Sequence, residues 1–304
     1  MQAKRLLLFG EQRSGTTLML EMLNAHPAVE VVAPDFPLYT AAVVFGLRPR
    51  QSMSERKAHV LWQHVRAATQ HNRQHLPSDV PSHFTCYDNL LAHRMQRQAP
   101  DAQFVCTKFH GPFETVPDLI ELDDLFCLHM VRDVRDVLLS RAFRGEQQLD
   151  QWALQWRQGC AQIRRLGRHP RLQSIRFEDL IDSPSDAFAR ILGWLGLPTC
   201  EPMPACDAQG RPRLQNSSFG DLQAFDRTAV ARYRGRHARP LMQYAQWMCR
   251  DELRHWGYPI EPDLDVGLPV RLRFLRRRAA LAAITAPRRA KNAITAALLP
   301  SLAE

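Results

Sequence analysis

The stretch "RLLLFGEQRSGTTLMLEMLNAH", Arg5 to His26, decides the fold. Its apolar run Leu6-Leu7-Leu8-Phe9 reads as a buried strand, and "LMLEMLNAH" reads as a helix. Between them Gly10 and Gly15 frame a polar loop. Strand, glycine loop and helix in that order suit an anion, because backbone N–H groups converge where the helix begins. The spacing fits the phosphate-loop pattern G-x-x-x-x-G-K-[ST] at both glycines and at Thr17. Thr16 stands in the lysine position, so the loop lacks the cation that reaches β- and γ-phosphates. Ser14, Thr16 and Thr17 add hydroxyl donors, and Gly15 allows close approach. Arg13 offers a planar fork suited to a sulfonate or phosphate oxygen pair. An ordinary glycine turn is the competing reading of this loop alone.

Outward from the loop, short apolar runs alternate with amphipathic segments. "RLLLF" (5–9), "QFVCTKF" (103–109), "LFCLHMV" (125–131) and "SIRF" (174–177) read as strands buried on both faces of a parallel sheet. Helical patterns cover 16–25, 87–99, 134–144, 149–167, 185–195 and 239–255. Ser183 and Pro184 open the fifth of these, and Gly196 closes it. The order predicts a doubly wound α/β fold, a P-loop-NTPase-like parallel sheet flanked by helices. Residues 26–102 hold several Pro and His and read as a helical insertion after the first βα unit.

The 304 residues suffice for one large domain with a buried core. The apolar runs are too short to span a membrane. Strand-like sequence begins by Arg5, which predicts no signal peptide and a cytoplasmic protein. Seven cysteines without a C-x-x-C pair fit a reducing compartment, with neither a metal site nor a disulfide framework expected. The net charge of +9 sits mostly in residues 266–304, where eight Arg and Lys face only Glu304. The body is nearly neutral, and no nucleic-acid partner is expected.

A second anion site is expected after the strand at 125–131. In "VRDVRDVLLSRAFRGE", Arg132 stands at the strand's C-terminal end, where open α/β sheets place ligands. Ser140 and Arg144 follow one helical turn apart on one face. Asp133 ends the same run, but the adjacent Arg132 disfavours a bound Mg²⁺ there. The alternative is a solvated helix with surface pairs such as Arg135 and Asp136.

These two stretches resemble the PAPS-dependent sulfotransferases. "RSGTT" followed by "LMLEMLNAHP" is similar to that family's loop for the 5′-phosphosulfate, and "VRDVRDVLLS" to its 3′-phosphate motif. The resemblance implies Arg132 and Ser140 as ligands of that phosphate. "IRFEDLIDSP…ILGWLGLP" looks like the segment that closes the nucleotide pocket, with Phe177 where the family often has a Tyr near the adenine. Ser217 and Arg232 are spaced like a Ser and a basic residue that contact the nucleotide in the tyrosylprotein-type branch. "WGYP" (256–259) resembles the usual ending. The implied donor is PAPS, the implied product PAP, and no metal is required. A donor with a single sulfated 5′-phosphate has no β- or γ-phosphate for a lysine to reach, which accounts for Thr16.

Two residues compete for the base that takes the acceptor's proton. "TKFHG" (107–111) puts Lys108 and His110 on one side of a strand and resembles the K-x-H of the cytosolic branch. There the His is the base and the Lys assists the bridging oxygen. Asp35, in "EVVAPDFPLY", stands one residue from where other branches carry a Glu. A nucleotide kinase or NTPase, and a non-catalytic binding module on the same fold, are the rival readings.

The chain thus divides into a sulfotransferase-like domain, 1–262, and a basic amphipathic tail, 263–304. The tail reads either as a segment lying peripherally on an anionic membrane surface or as a solvated or partner-packed extension. The acceptor stays open among a glycan, a lipid-linked sugar, a peptide tyrosine and a small alcohol.

Overall fold

A computed structural model describes residues 3–32, 100–109, 113–201, 225–235 and 239–277, with isolated positions at 52–63 and residue 279. Five strands form one parallel sheet in the order β2-β3-β1-β4-β5. They are β1 (Lys4–Gly10), β2 (Val29–Val31), β3 (Phe104–Phe109), β4 (Leu125–Val131) and β5 (Leu172–Arg176). Helix α1 (Thr16–Asn24) links β1 to β2, and the short α2 (Val116–Leu119) precedes β4. After β4 come α3 (Val134–Ala142) and α4 (Leu149–Leu166). After β5 come α5 (Phe177–Asp182), α6 (Pro184–Leu195) and α7 (Arg239–His255).

The apolar runs are continuous because both faces of the sheet are covered. Leu6, Leu7, Leu8 and Phe9 of β1 are all fully buried. On one face Leu6 and Leu8 pack with Met19, Met22 and Leu23 of α1 and with Phe188, Ile191 and Leu192 of α6. On the other, the Phe9 ring meets Phe109, Phe113 and His129 at centroid distances of 5.2 to 5.7 Å. Phe113 also lies over Gly159 of α4, where an added Cβ would come within 2.6 Å of its ring. Helices α3, α4 and α7 then close that side around Trp156, Tyr244 and Leu253.

The expected strands and helices within the described residues are present, with three differences. The 26–102 segment, read as an insertion, contains β2, which pairs with β3 through Val29, Glu30 and Val31. Three residues with a central glutamate are too short for a periodic signal. Phe177 opens α5 instead of ending β5. The first residues of the expected tail belong to the body. Residues 268–277 are helical, with Phe274 in the core cluster of α7, 5.1 Å from the Tyr244 ring, and the half-buried Val270 packed against that cluster. The helix expected at 87–99 lies outside the described residues. So do residues 202–224.

The strand order sets the site. From β1 the chain leaves through α1 toward one edge, and from β4 it leaves through α3 and α4 toward the other. The carboxyl ends of these adjacent strands therefore form a topological switch point, the usual ligand crevice of open α/β sheets.

Candidate active site

Two glycines shape the loop between β1 and α1. Gly10 lies so close to β4 that a Cβ there would fall 2.4 Å from the Met130 carbonyl oxygen. Gly15 has φ +88°, and its Cβ would fall 2.3 Å from the Phe177 ring. Between them Arg13 also takes a left-handed backbone, at φ 75°. For a residue with a Cβ that conformation costs roughly 1–2 kcal/mol, so the surrounding contacts must hold it. Glu11 is buried, and burial pushes its carboxyl up to about 7 despite the nearby Arg141.

The contacts that hold Arg13 come from β4 and α3. Arg13 Nε donates to Ser140 Oγ at 2.9 Å. Arg132 Nη1 donates to the Arg13 carbonyl at 3.0 Å, and Arg132 Nη2 to the Ala229 carbonyl at 2.6 Å. The backbone of Arg132 is fixed in turn by Trp156, whose Nε1 donates to its carbonyl at 2.9 Å. The Arg132 guanidinium lies 4.4 Å from the centroid of the Phe177 ring. Arg13, Ser140, Arg132, Gly15 and Phe177 thus meet across a sequence distance of more than 160 residues.

This cluster is strongly cationic. Burial, with Arg144, Arg132 and Arg141 nearby, lowers Arg13 to about 10, which leaves it charged at neutral pH. Such crowding of guanidinium groups is stabilised by an anion. Ser14 Oγ and Arg132 Nε are buried without a hydrogen-bond partner among the described residues. Buried polar atoms are rarely left so, and a bound anion would satisfy both.

Lys108 approaches from β3. Its Nζ donates to Thr17 Oγ1 at 3.1 Å, in the first turn of α1. Burial lowers its pKa, opposed in part by Glu21. A cation from the neighbouring strand therefore reaches the helix terminus that Thr16 leaves without a lysine.

Of the other expected site residues, Thr16 is buried at the start of α1, and Arg144 lies exposed just beyond α3. Arg232 bonds to the carbonyl and hydroxyl of Thr228, so it braces the turn whose Ala229 carbonyl accepts from Arg132. His110, Asp35 and Ser217 lie outside the described residues. Arg135 and Asp136 are not surface residues. Arg135 is fully buried, paired with Asp133 at 2.6 Å, bonded to Gln246 and stacked 4.1 Å from the Tyr233 ring. Asp136 accepts from the Tyr233 backbone, and burial raises it to about 6.

The supporting residues around the cluster escape sequence reasoning. Glu178 accepts from the Asp133 backbone at 3.0 Å and from Tyr258 Oη at 2.9 Å, which ties β4, α5 and the "WGYP" turn together. Gln246 and Glu261 complete the same network around Arg135 and Tyr233. Glu178 stands between Phe177 and Asp179 in the sequence, with Arg176 close by, and nothing in that stretch signals its burial.

Residues 6–202 match the family described as "Sulfotransferase family". The chain belongs to the sulfotransferase family. The matched span holds the loop, Lys108, Arg132, Ser140 and Phe177, while Ser217 and Arg232 lie beyond it. Among solved structures, the sulfotransferase domain of the Synechococcus PCC 7002 olefin synthase is similar with TM-score 0.56 and 17% identity. That alignment covers 86% of this chain and 97% of the other. The sulfotransferase domain from the curacin biosynthetic pathway gives TM-score 0.56 and 15% identity, over 86% and 99%. At these identities the likeness shows a shared fold. No curated protein matches the chain. In this sulfotransferase the glycine loop and the arginine cluster occupy the switch point of the fold.

Proposed function

We propose that this sulfotransferase takes PAPS as donor and transfers its sulfuryl group in line to a hydroxyl or amine of an acceptor, releasing PAP. The observation that carries this reading is the pair of guanidinium groups, Arg13 and Arg132, held with Ser140 beside a phosphate loop without its lysine. The buried Ser14 hydroxyl and Arg132 Nε fit such a donor, since both await an anionic partner. The loop backbone, Ser14, Thr16 and Thr17 hold the sulfated 5′ end. Arg132 and Ser140, with Arg144 and Arg232 at the rim, hold the 3′-phosphate, while Arg13 serves the 5′ end with the rest of its loop.

Phe177 keeps the loop and Arg132 in register, because its ring contacts both. Ser217 adds a nucleotide contact from the segment before Arg232. Lys108 neutralises charge at the bridging oxygen from its place beside Thr17. His110, two residues beyond Lys108 in the sequence, takes the acceptor's proton, and Asp35 is the second candidate for that step. Catalysis then rests on positioning and fixed charge. A screen of hydroxyl and amine compounds with labelled PAPS would find the class of the acceptor.

A triphosphate site is less well supported. Asp133, the strand-end carboxylate that a metal–nucleotide site would use, is bound by Arg135 through both its oxygens. Thermal-shift titration separates the two readings. PAP is expected to raise Tm in proportion to RT ln(1 + [L]/Kd), and ATP with Mg²⁺ to leave it unchanged. Stabilisation by ATP with Mg²⁺ alone would overturn the proposal.

A further inference from the structure

The helix at 268–277 has two apolar faces, and the body uses one of them. Phe274 packs against Tyr244 and Trp247 of α7, and Val270 packs against the same cluster. Leu268, Leu272 and Leu275 recur at i, i+4 and i+7, which places them on one stripe of the helix. By the same geometry that stripe points away from the buried pair. The three leucines are 69%, 50% and 48% exposed and make up most of the large exposed hydrophobics among the described residues. Isolated exposed leucines are ordinary, but an aligned set on one short helix marks a contact surface.

Arginines border the stripe. Arg271 and Arg276 lie on its two sides, and Arg273 stands further round. Arg277 is turned to the body, where it pairs with Asp150. Residues 266–304 carry eight Arg and Lys against one acidic residue, Glu304.

From this arrangement we infer that the 268–277 helix docks the protein on an anionic lipid surface, with the leucine stripe entering the headgroup boundary and the arginines meeting lipid phosphates. The inference is independent of the sulfuryl-transfer reading. Charge decides for a membrane over a second copy of the chain. Two copies joined by this stripe would bring their arginines together, whereas anionic lipid neutralises them. Three leucines also cover far less than the roughly 800 Å² per partner of a stable protein interface. Among the described residues no helix is long and apolar enough to cross a membrane, so the contact is with a surface.

The test is flotation of the full chain with phosphatidylcholine vesicles, with and without about 30 mol% phosphatidylglycerol. Binding at least about tenfold stronger to the anionic vesicles is expected, weakening as salt rises. The variant Leu268→Ser/Leu272→Ser/Leu275→Ser should lose that binding about tenfold or more, with Tm unchanged because the stripe is exposed. Flotation of the variant equal to wild type would assign the binding to the other basic residues and overturn the inference. Absence of wild-type flotation would overturn it too. Light scattering supplies the last arm: a wild-type dimer that the variant converts to monomer would assign the stripe to a second copy and likewise overturn it.

Discussion

Arg13 and Ser140 meet at 2.9 Å, though they stand 127 positions apart in the chain. The bond holds the guanidinium while the Arg13 backbone stays at φ 75°, a conformation that glycine would adopt without strain. Strain and the crowding of Arg132, Arg141 and Arg144 both oppose the arginine in the free protein. Arg13→Gly is therefore expected to hold or raise the unliganded Tm while weakening PAP about 10- to 100-fold. Thermal shift with and without PAP measures both. A variant that loses Tm yet keeps its full PAP shift would show that Arg13 is structural.

Gly15 and Phe177 form a tighter constraint. A methyl at position 15 would lie 2.3 Å from the ring, in backbone at φ +88°. Gly15→Ala should cost about 2 kcal/mol or more and abolish PAP stabilisation. Phe177→Ala alone should cost about 3 kcal/mol as a cavity. In the Gly15→Ala background the same truncation should cost at least about 1 kcal/mol less, because it also removes the clash. Denaturant melts of the four proteins give this coupling, and strict additivity would mean that the loop moves away from the ring.

The base is decided by turnover. His110→Ala should lower kcat about 100-fold or more while the PAP thermal shift persists. Near-normal turnover in that variant, together with a large loss in Asp35→Asn, would move the proton transfer to Asp35.

Two buried groups make stability depend on pH in opposite directions. Burial holds His129 down to about 3, among the rings of Phe9, Phe113 and Trp256. Its neutral form favours folding at pH above the unfolded value of 6.5, and that contribution is lost as pH falls toward 3. Burial raises Glu178 to about 7, so its contribution is complete below 4.5 and is lost as pH rises through 7. The stability lead of wild type over His129→Gln should shrink on acidification, by at most about 1.4 kcal/mol per pH unit. Glu178→Gln, which keeps an acceptor for the Asp133 N–H, should instead gain on wild type between pH 4.5 and 7 and then level off. Urea titrations across this range check both, and a pH-independent gap in either variant would mean that its group is not held neutral.

The sheet was largely legible because burial on both faces writes uninterrupted apolar runs, as in Leu6 to Phe9. The helices showed through their periodicity, and the loop through its two glycines. Arg13, Lys108 and Arg132 were readable as charges at strand and loop ends, where backbone dipoles and strand termini put ligands, and Ser140 through its one-turn spacing to Arg144. Three-residue β2 left no such trace, and neither did the docking of Phe274 on α7. What the sequence determined by itself is local: element type, loop chemistry and the missing lysine, each set by nearest neighbours along the chain. Only the tertiary structure decided that Arg13 points to Ser140, that Phe177 packs on Gly15, and that Arg135 is buried against Asp133. Those pairings depend on strand order and on contacts between residues far apart in the chain, which no local pattern encodes.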